Sequence, residues 1–135
     1  MDPRGLDWVY SQSTGNVSHV DPNGNSTDIG NDYAGNGNGI NNPAMQNVLD
    51  TGPLPQGAYT IEAQQNNTTG NGTSLPGSVR LTPDPGNSMY GRSGFLIHGD
   101  NNQGNRSVSE GCIILNRNIR NRIGHSGDSI LRVVP

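Results

Sequence analysis

The single cysteine of the chain, Cys112, stands 14 positions after His98. A thiolate attacks carbonyl carbon readily and a thiol does not, and an ordinary cysteine pKa near ~8.5 leaves little thiolate at neutral pH. A neighbouring imidazole that takes the proton is the usual remedy. Both residues adjoin apolar triplets: Phe95-Leu96-Ile97 leads into His98, and Ile113-Ile114-Leu115 follows Cys112. Such runs read as short buried strands, which sets the histidine and the cysteine at strand ends. Gly111 just before the cysteine permits a sharp turn and close approach of a substrate to sulfur. Backbone N–H groups around Gly111 and Cys112 are candidates for an oxyanion hole, where one donor is worth roughly 10²–10³ in rate. The Gly99 carbonyl or the Asp100 carboxylate is placed to orient the imidazole. The chemistry these residues suit is acyl transfer. The plainer account makes Cys112 a small buried side chain beside Ile113 and His98 a polar strand-end residue.

Other polar groups cluster nearby. Arg92, just before the first triplet, suits a bidentate grip on a carboxylate, or is simply a surface arginine. Ser109 positions the cysteine loop through local hydrogen bonds, or is an ordinary turn serine.

The elements that must hold these groups are short. Hydrophobic residues make up 29% of the 135 and charged residues 14%, while glycine alone supplies 20 residues. Low hydrophobicity without high net charge, here −3, departs from the composition of disordered chains. The pattern predicts one mostly β domain over residues 1–135, with one or two short helices and long Gly/Asn-rich loops. Trp8–Gln12 and Asn16–Val20 flank Ser13-Thr14-Gly15 as a hairpin. Residues 30–42 read as loop. Asn42 caps one or two helical turns beginning at Pro43. Tyr59 and Ile61 begin a strand, Gln64 to Gly77 reads as a long mobile loop, and Ser78–Thr82 alternates like an edge or half-buried strand. Leu115, Ile119 and Ile123 recur as one face of a short helix capped by Asn116 and stopped by Gly124. Ile130–Val134 closes the chain as a strand.

Several functions are disfavoured by composition. All eight basic residues are arginine and most are scattered, so no nucleic-acid surface is expected. No apolar run approaches the ~20 residues of a membrane span, and no signal peptide is visible. One cysteine excludes an internal disulfide and the Cys-rich zinc modules. No metal site and no cofactor are expected, since His19 and His125 would have to converge with His98. Asp21-X-Asn23-X-Asn25 is spaced like a calcium loop but reads as a hairpin turn, because Ser26 occupies the required glycine position.

The motifs together resemble the L,D-transpeptidases of the YkuD-like type. The resemblance rests on His98-Gly99, on Ser109-Glu110-Gly111-Cys112-Ile113, and on Pro55-Gln56-Gly57-Ala58-Tyr59-Thr60-Ile61. It is most extensive toward the small L,D-transpeptidase-related effectors of type VI secretion and their relatives. There it also takes in Trp8–Gly15, Asn41–Gln46, Gly52–Pro55 and Gly91–Asp100. The resemblance implies a β-sandwich fold and a substrate in the tetrapeptide stem of peptidoglycan. Cys112 would form a thioester, His98 would act as base, and D-alanine would leave. Gly99 and Gly111 would complete the catalytic group, with Arg92, Asp100, Ser109 and Glu110 on the substrate side. The resemblance further implies action in the periplasm of a target bacterium and a cognate immunity protein as partner.

Two positions depart from the pattern. Many cross-linking members carry a second histidine where this chain has Glu110, and an arginine soon after the cysteine where it has Ile113-Ile114. Cleavage or D-amino-acid exchange is therefore expected over cross-linking. The competing expectations are a non-catalytic peptidoglycan-binding module with the same fold and a sortase-like enzyme, the latter disfavoured by the short His-to-Cys spacing.

Overall fold

Glycine and an aspartate set the first two turns. Strands β1 (Asp7–Ser11) and β2 (Asn16–Val20) pair antiparallel, with Trp8 opposite His19. Gly15 turns between them at φ +71, and a Cβ there would run into the Asp32 carbonyl, so conformation and space both demand glycine. In the next turn Asp21 Oδ1 accepts the N–H groups of Asn23 and Asn25, both at 2.9 Å. The calcium-like spacing is thus a turn leading into β3 (Ser26–Asn31), as expected. These elements belong to a computed structural model that describes residues 7–21, 23–35, 37–49, 51–68, 74–92, 94–99, 112–126 and 129–135.

The remaining strands are β4 (Tyr33–Ala34), β5 (Gly57–Thr68), β6 (Ser74–Pro83), β7 (Leu96–His98), β8 (Ile113–Ile114) and β9 (Ile130–Val134). Among the described residues all nine join in one sheet, in the order β3-β2-β1-β9-β5-β6-β7-β8-β4. Most neighbours run antiparallel. The two parallel pairs are β1 with β9 and β7 with β8. The sheet folds over on itself. Trp8, Tyr10 and Leu131 from one half share a buried cluster with Val79, Ile97 and Ile113 from the other.

Helix α1 (Arg117–His125) packs into the same cluster through Ile119 and Ile123. It even reaches β3, where a Cβ on Gly30 would stand 2.6 Å from Ile119 Cδ1. The result is a predominantly β sandwich with one short α-helix and 3-10 turns: the mostly β content is what the sequence pattern predicts, and the sandwich is what the resemblance implies.

Local expectations fare unevenly. Asn116 caps α1 as predicted, its Oδ1 accepting the Ile119 N–H at 2.9 Å. The helix does not stop at Gly124, however, but continues through it to His125. Glycine serves there for close packing, since a Cβ would meet Gln64 Oε1 at 2.5 Å. Asn42 does cap a turn at Pro43, but of 3-10 type and only to Met45. Residues 30–42 are not all loop: they hold the end of β3, strand β4 and a 3-10 turn at Gly37–Gly39.

The larger correction concerns residues 64–77. Its described residues continue β5 and β6 as a long hairpin instead of forming a loop. The strands there carry little apolar patterning because side-chain amides hold them together. Gln64 donates to Gly77 O at 3.0 Å and to Asn121 at 2.9 Å, and Asn67 donates to Ser78 Oγ at 2.8 Å.

Candidate active site

His98 ends β7 and Cys112 immediately precedes β8, and the two strands lie side by side. Their parallel register sets Ile97 against Ile113 and His98 against Ile114. Alternation turns Ile97 and Ile113 into the core and leaves Leu96, His98 and Ile114 on the opposite face. Extending the register by one residue brings Cys112 beside Leu96, whose N–H points at Sγ at 3.4 Å. His98 and Cys112 therefore come from adjacent strands, with Cα atoms on the order of 8 Å apart by strand geometry, and Cys112 also packs against the core cluster.

The imidazole is buried, only 4% exposed, and Nδ1 lies 2.9 Å from the Gly99 carbonyl oxygen. A carbonyl can only accept, so this contact places the proton on Nδ1 and leaves the Nε2 lone pair as the basic site. The Gly99 carbonyl, one of the two orienting groups expected for His98, makes this contact. The His98 carbonyl is held in turn by the Leu115 N–H at 3.0 Å. Sγ of half-buried Cys112 lies 4.0 Å from the Gly94 carbonyl oxygen. Asp100, Ser109, Glu110 and Gly111 lie outside the described residues.

Arg92 is held among backbone carbonyls. It is 4% exposed, and Nη1 donates to Gln46 O at 2.6 Å and Pro53 O at 2.8 Å. Nη2 donates to Gly52 O at 2.9 Å, and the guanidinium lies 5.1 Å from the centroid of Phe95. These bonds tie residues 46–53 to the segment entering β7. Nearby, burial pushes the Tyr59 phenol far above its ordinary pKa, with the Arg92 charge opposing. Its hydroxyl donates to Pro55 O at 2.6 Å. Of the two remaining histidines, His19 stacks on Trp8 at 4.4 Å between centroids. Among the described residues no group of three or more His, Cys, Asp or Glu is arranged to hold a metal ion, and no helix is long and apolar enough to cross a membrane.

The family model described as the Tlde1 domain matches residues 30–130, a span that contains both His98 and Cys112. The chain belongs to the Tlde1-domain family. Its fold is that of L,D-transpeptidases. Mycobacterium tuberculosis L,D-transpeptidase 1 superposes with a TM-score of 0.60 at 18% identity, covering 97% of this chain and 62% of that one. A further L,D-transpeptidase from M. tuberculosis H37Rv gives 0.59 at 19% identity, with coverage of 97% and 58%. An L,D-transpeptidase solved in complex with imipenem gives 0.57 at 17%, with coverage of 96% and 59%. The chain thus spans about three fifths of the length of these proteins. No curated protein sequence matches it.

One residue of this Tlde1 domain beside the site escaped the sequence reading. Arg120 of α1 is 6% exposed and donates Nη1 to Leu115 O at 2.7 Å and Nε to Gly77 O at 3.2 Å. Burial, and secondarily Arg117, lowers its pKa. A signal was present: Arg120 follows Ile119 and precedes Ile123 by three, which sets it beside the apolar stripe.

Proposed function

We propose that this Tlde1 domain is a cysteine-dependent L,D-carboxypeptidase and D-amino-acid exchange enzyme acting on the tetrapeptide stem of peptidoglycan. The observation that supports it best is the Nδ1 contact of His98 with the Gly99 carbonyl, which leaves Nε2 as the basic nitrogen at the end of the strand paired with the one Cys112 precedes.

In the proposed reaction His98 Nε2 takes the thiol proton and Sγ attacks the carbonyl carbon between the central L-centre of the stem and the terminal D-alanine. Collapse of the tetrahedral adduct breaks the C–N bond. The imidazolium returns its proton to the departing amine, so D-alanine leaves and a thioester remains on Cys112. Water then gives the shortened stem and restores the thiol, or the amine of a free D-amino acid gives exchange. Proton transfer by a positioned base is worth about 10²–10⁴ in rate.

The proposal extends to delivery as an antibacterial effector of type VI secretion, acting in the periplasm of a target cell and restrained at home by an immunity protein. Glu110 in place of a second histidine supports cleavage or exchange over cross-linking.

Incubation with purified disaccharide-tetrapeptide tests the reading. Mass spectrometry should record loss of one D-alanine, or its replacement when another D-amino acid is supplied, and neither with Cys112→Ala. Binding to peptidoglycan with an unchanged stem would replace the enzyme with a binding module.

A further inference from the structure

Glycine at position 99 is required by something other than its backbone angles. Its φ lies outside the positive range adopted by seven other described glycines. What a side chain would meet is Arg120: an ideal Cβ on Gly99 stands 2.8 Å from Nη1, 3.5 Å from Cζ and 3.6 Å from Nη2. The far end of a flexible side chain would ordinarily yield, but this one is pinned. Arg120 is buried, with Nη1 bonded to Leu115 O and Nε to Gly77 O. The Leu115 peptide carries the linkage onward, since its N–H holds the His98 carbonyl at 3.0 Å.

Among the described residues two routes therefore run from Arg120 to the imidazole. One passes through the Leu115 peptide to the His98 backbone. The other is the direct contact with Gly99, whose carbonyl fixes Nδ1.

We infer that Arg120 is a positioning residue for the proposed base: it wedges the Gly99 peptide so that its carbonyl holds His98 in the Nδ1-protonated tautomer. The inference rests on the catalytic reading of His98, yet half of its test does not need turnover. Arg120→Lys keeps a cation and one donor able to reach Leu115 O but lacks the planar head that abuts Gly99. Arg120→Met removes both donors.

The test uses the full chain labelled with ¹⁵N, whose three histidines are few enough to assign. Long-range ¹H–¹⁵N spectra should show His98 protonated at Nδ1 in the wild type. Folded Arg120→Met should show averaging between the tautomers, with Arg120→Lys between the two. An unchanged Nδ1-protonated signal in folded Arg120→Met overturns the inference. The second arm is a double-mutant cycle read on tetrapeptide turnover and usable even if Arg120→Met fails to fold. Gly99→Ala should lower kcat about 10-fold or more with little change in KM, and only about 3-fold or less in the Arg120→Lys background. Equal losses in the two backgrounds overturn the wedge. If wild-type protein releases no D-alanine, the proposed activity falls, and the tautomer spectra alone decide the role of Arg120.

Discussion

Arg92 and Arg120 are buried almost equally, at 4% and 6% exposure, and each donates to backbone carbonyls. Their surroundings differ. Arg92 gathers Gln46, Gly52 and Pro53, all from one loop, and leans on Phe95. Arg120 bridges β6 and the end of β8 and presses on the residue that orients His98. A guanidinium suits both tasks because its donors form a fixed planar fork that meets several carbonyls at once. The lesson is that the same buried arginine chemistry can stabilise a loop or tune an imidazole, and only the acceptors tell which.

Cys112→Ala sets the scale for purely chemical loss. D-alanine release should fall by at least ~10³-fold, with thermal stability nearly unchanged because the side chain is half-buried and small. A variant that kept substantial activity would remove the reason for comparing the arginines through His98 at all. Arg92→Met should show the opposite profile. Loss of its bonds to three carbonyls should destabilise by about 3 kcal/mol in denaturant unfolding, while kcat per folded molecule changes little. A large fall in kcat without loss of stability would put Arg92 on the substrate side.

Gly124→Ala probes the packing of the helix that carries Arg120. Crowding against Gln64 should outweigh the gain in helix propensity, for a net loss of about 1–2 kcal/mol. Increased stability would show that α1 can shift from β5. The smallest effect belongs to the Arg92 side. Tyr59→Phe leaves Pro55 O without its 2.6 Å bond and should cost about 1 kcal/mol at neutral pH. The variant also carries a pH signature. Burial raises the folded-state pKa of Tyr59, so the neutral phenol favours the fold fully below the unfolded value near ~10, and this contribution declines as pH climbs above it. Unfolding at pH 9 and pH 11 should show a smaller alkaline loss in Tyr59→Phe than in wild type. An equal loss in both proteins would exclude Tyr59 as its source.

Sequence patterns revealed what depends on apolar periodicity or backbone chemistry. The Ile119/Ile123 stripe gave the helix, its Asn116 cap gave the start, and the two apolar triplets gave the strands beside His98 and Cys112. Distal β5 and β6 were hidden because Gln64, Asn67 and Ser78 hold that hairpin by amide and hydroxyl bonds, which leave no alternation to read. Arg120 was hidden for a related reason. A buried arginine and a solvated one look alike until the carbonyls of Gly77 and Leu115 are brought together from 38 residues apart in the chain. Gly99 appeared in the motif, but the reason for glycine there needed a neighbour from α1.

The parallel pairing of β1 with β9 also governs assembly in time. β9 stands between β3-β2-β1 on one side and β5-β6-β7-β8-β4 on the other. The seam between these two blocks is made from residues 130–134, which follow every other described strand in the chain. At a synthesis rate of about 5–20 residues per second, both blocks are synthesised before the strand that joins them exists. Translation order thus makes joining of the two blocks a late event, and a nascent chain stopped short of residue 130 would present two unjoined sheet edges to any chaperone that meets it.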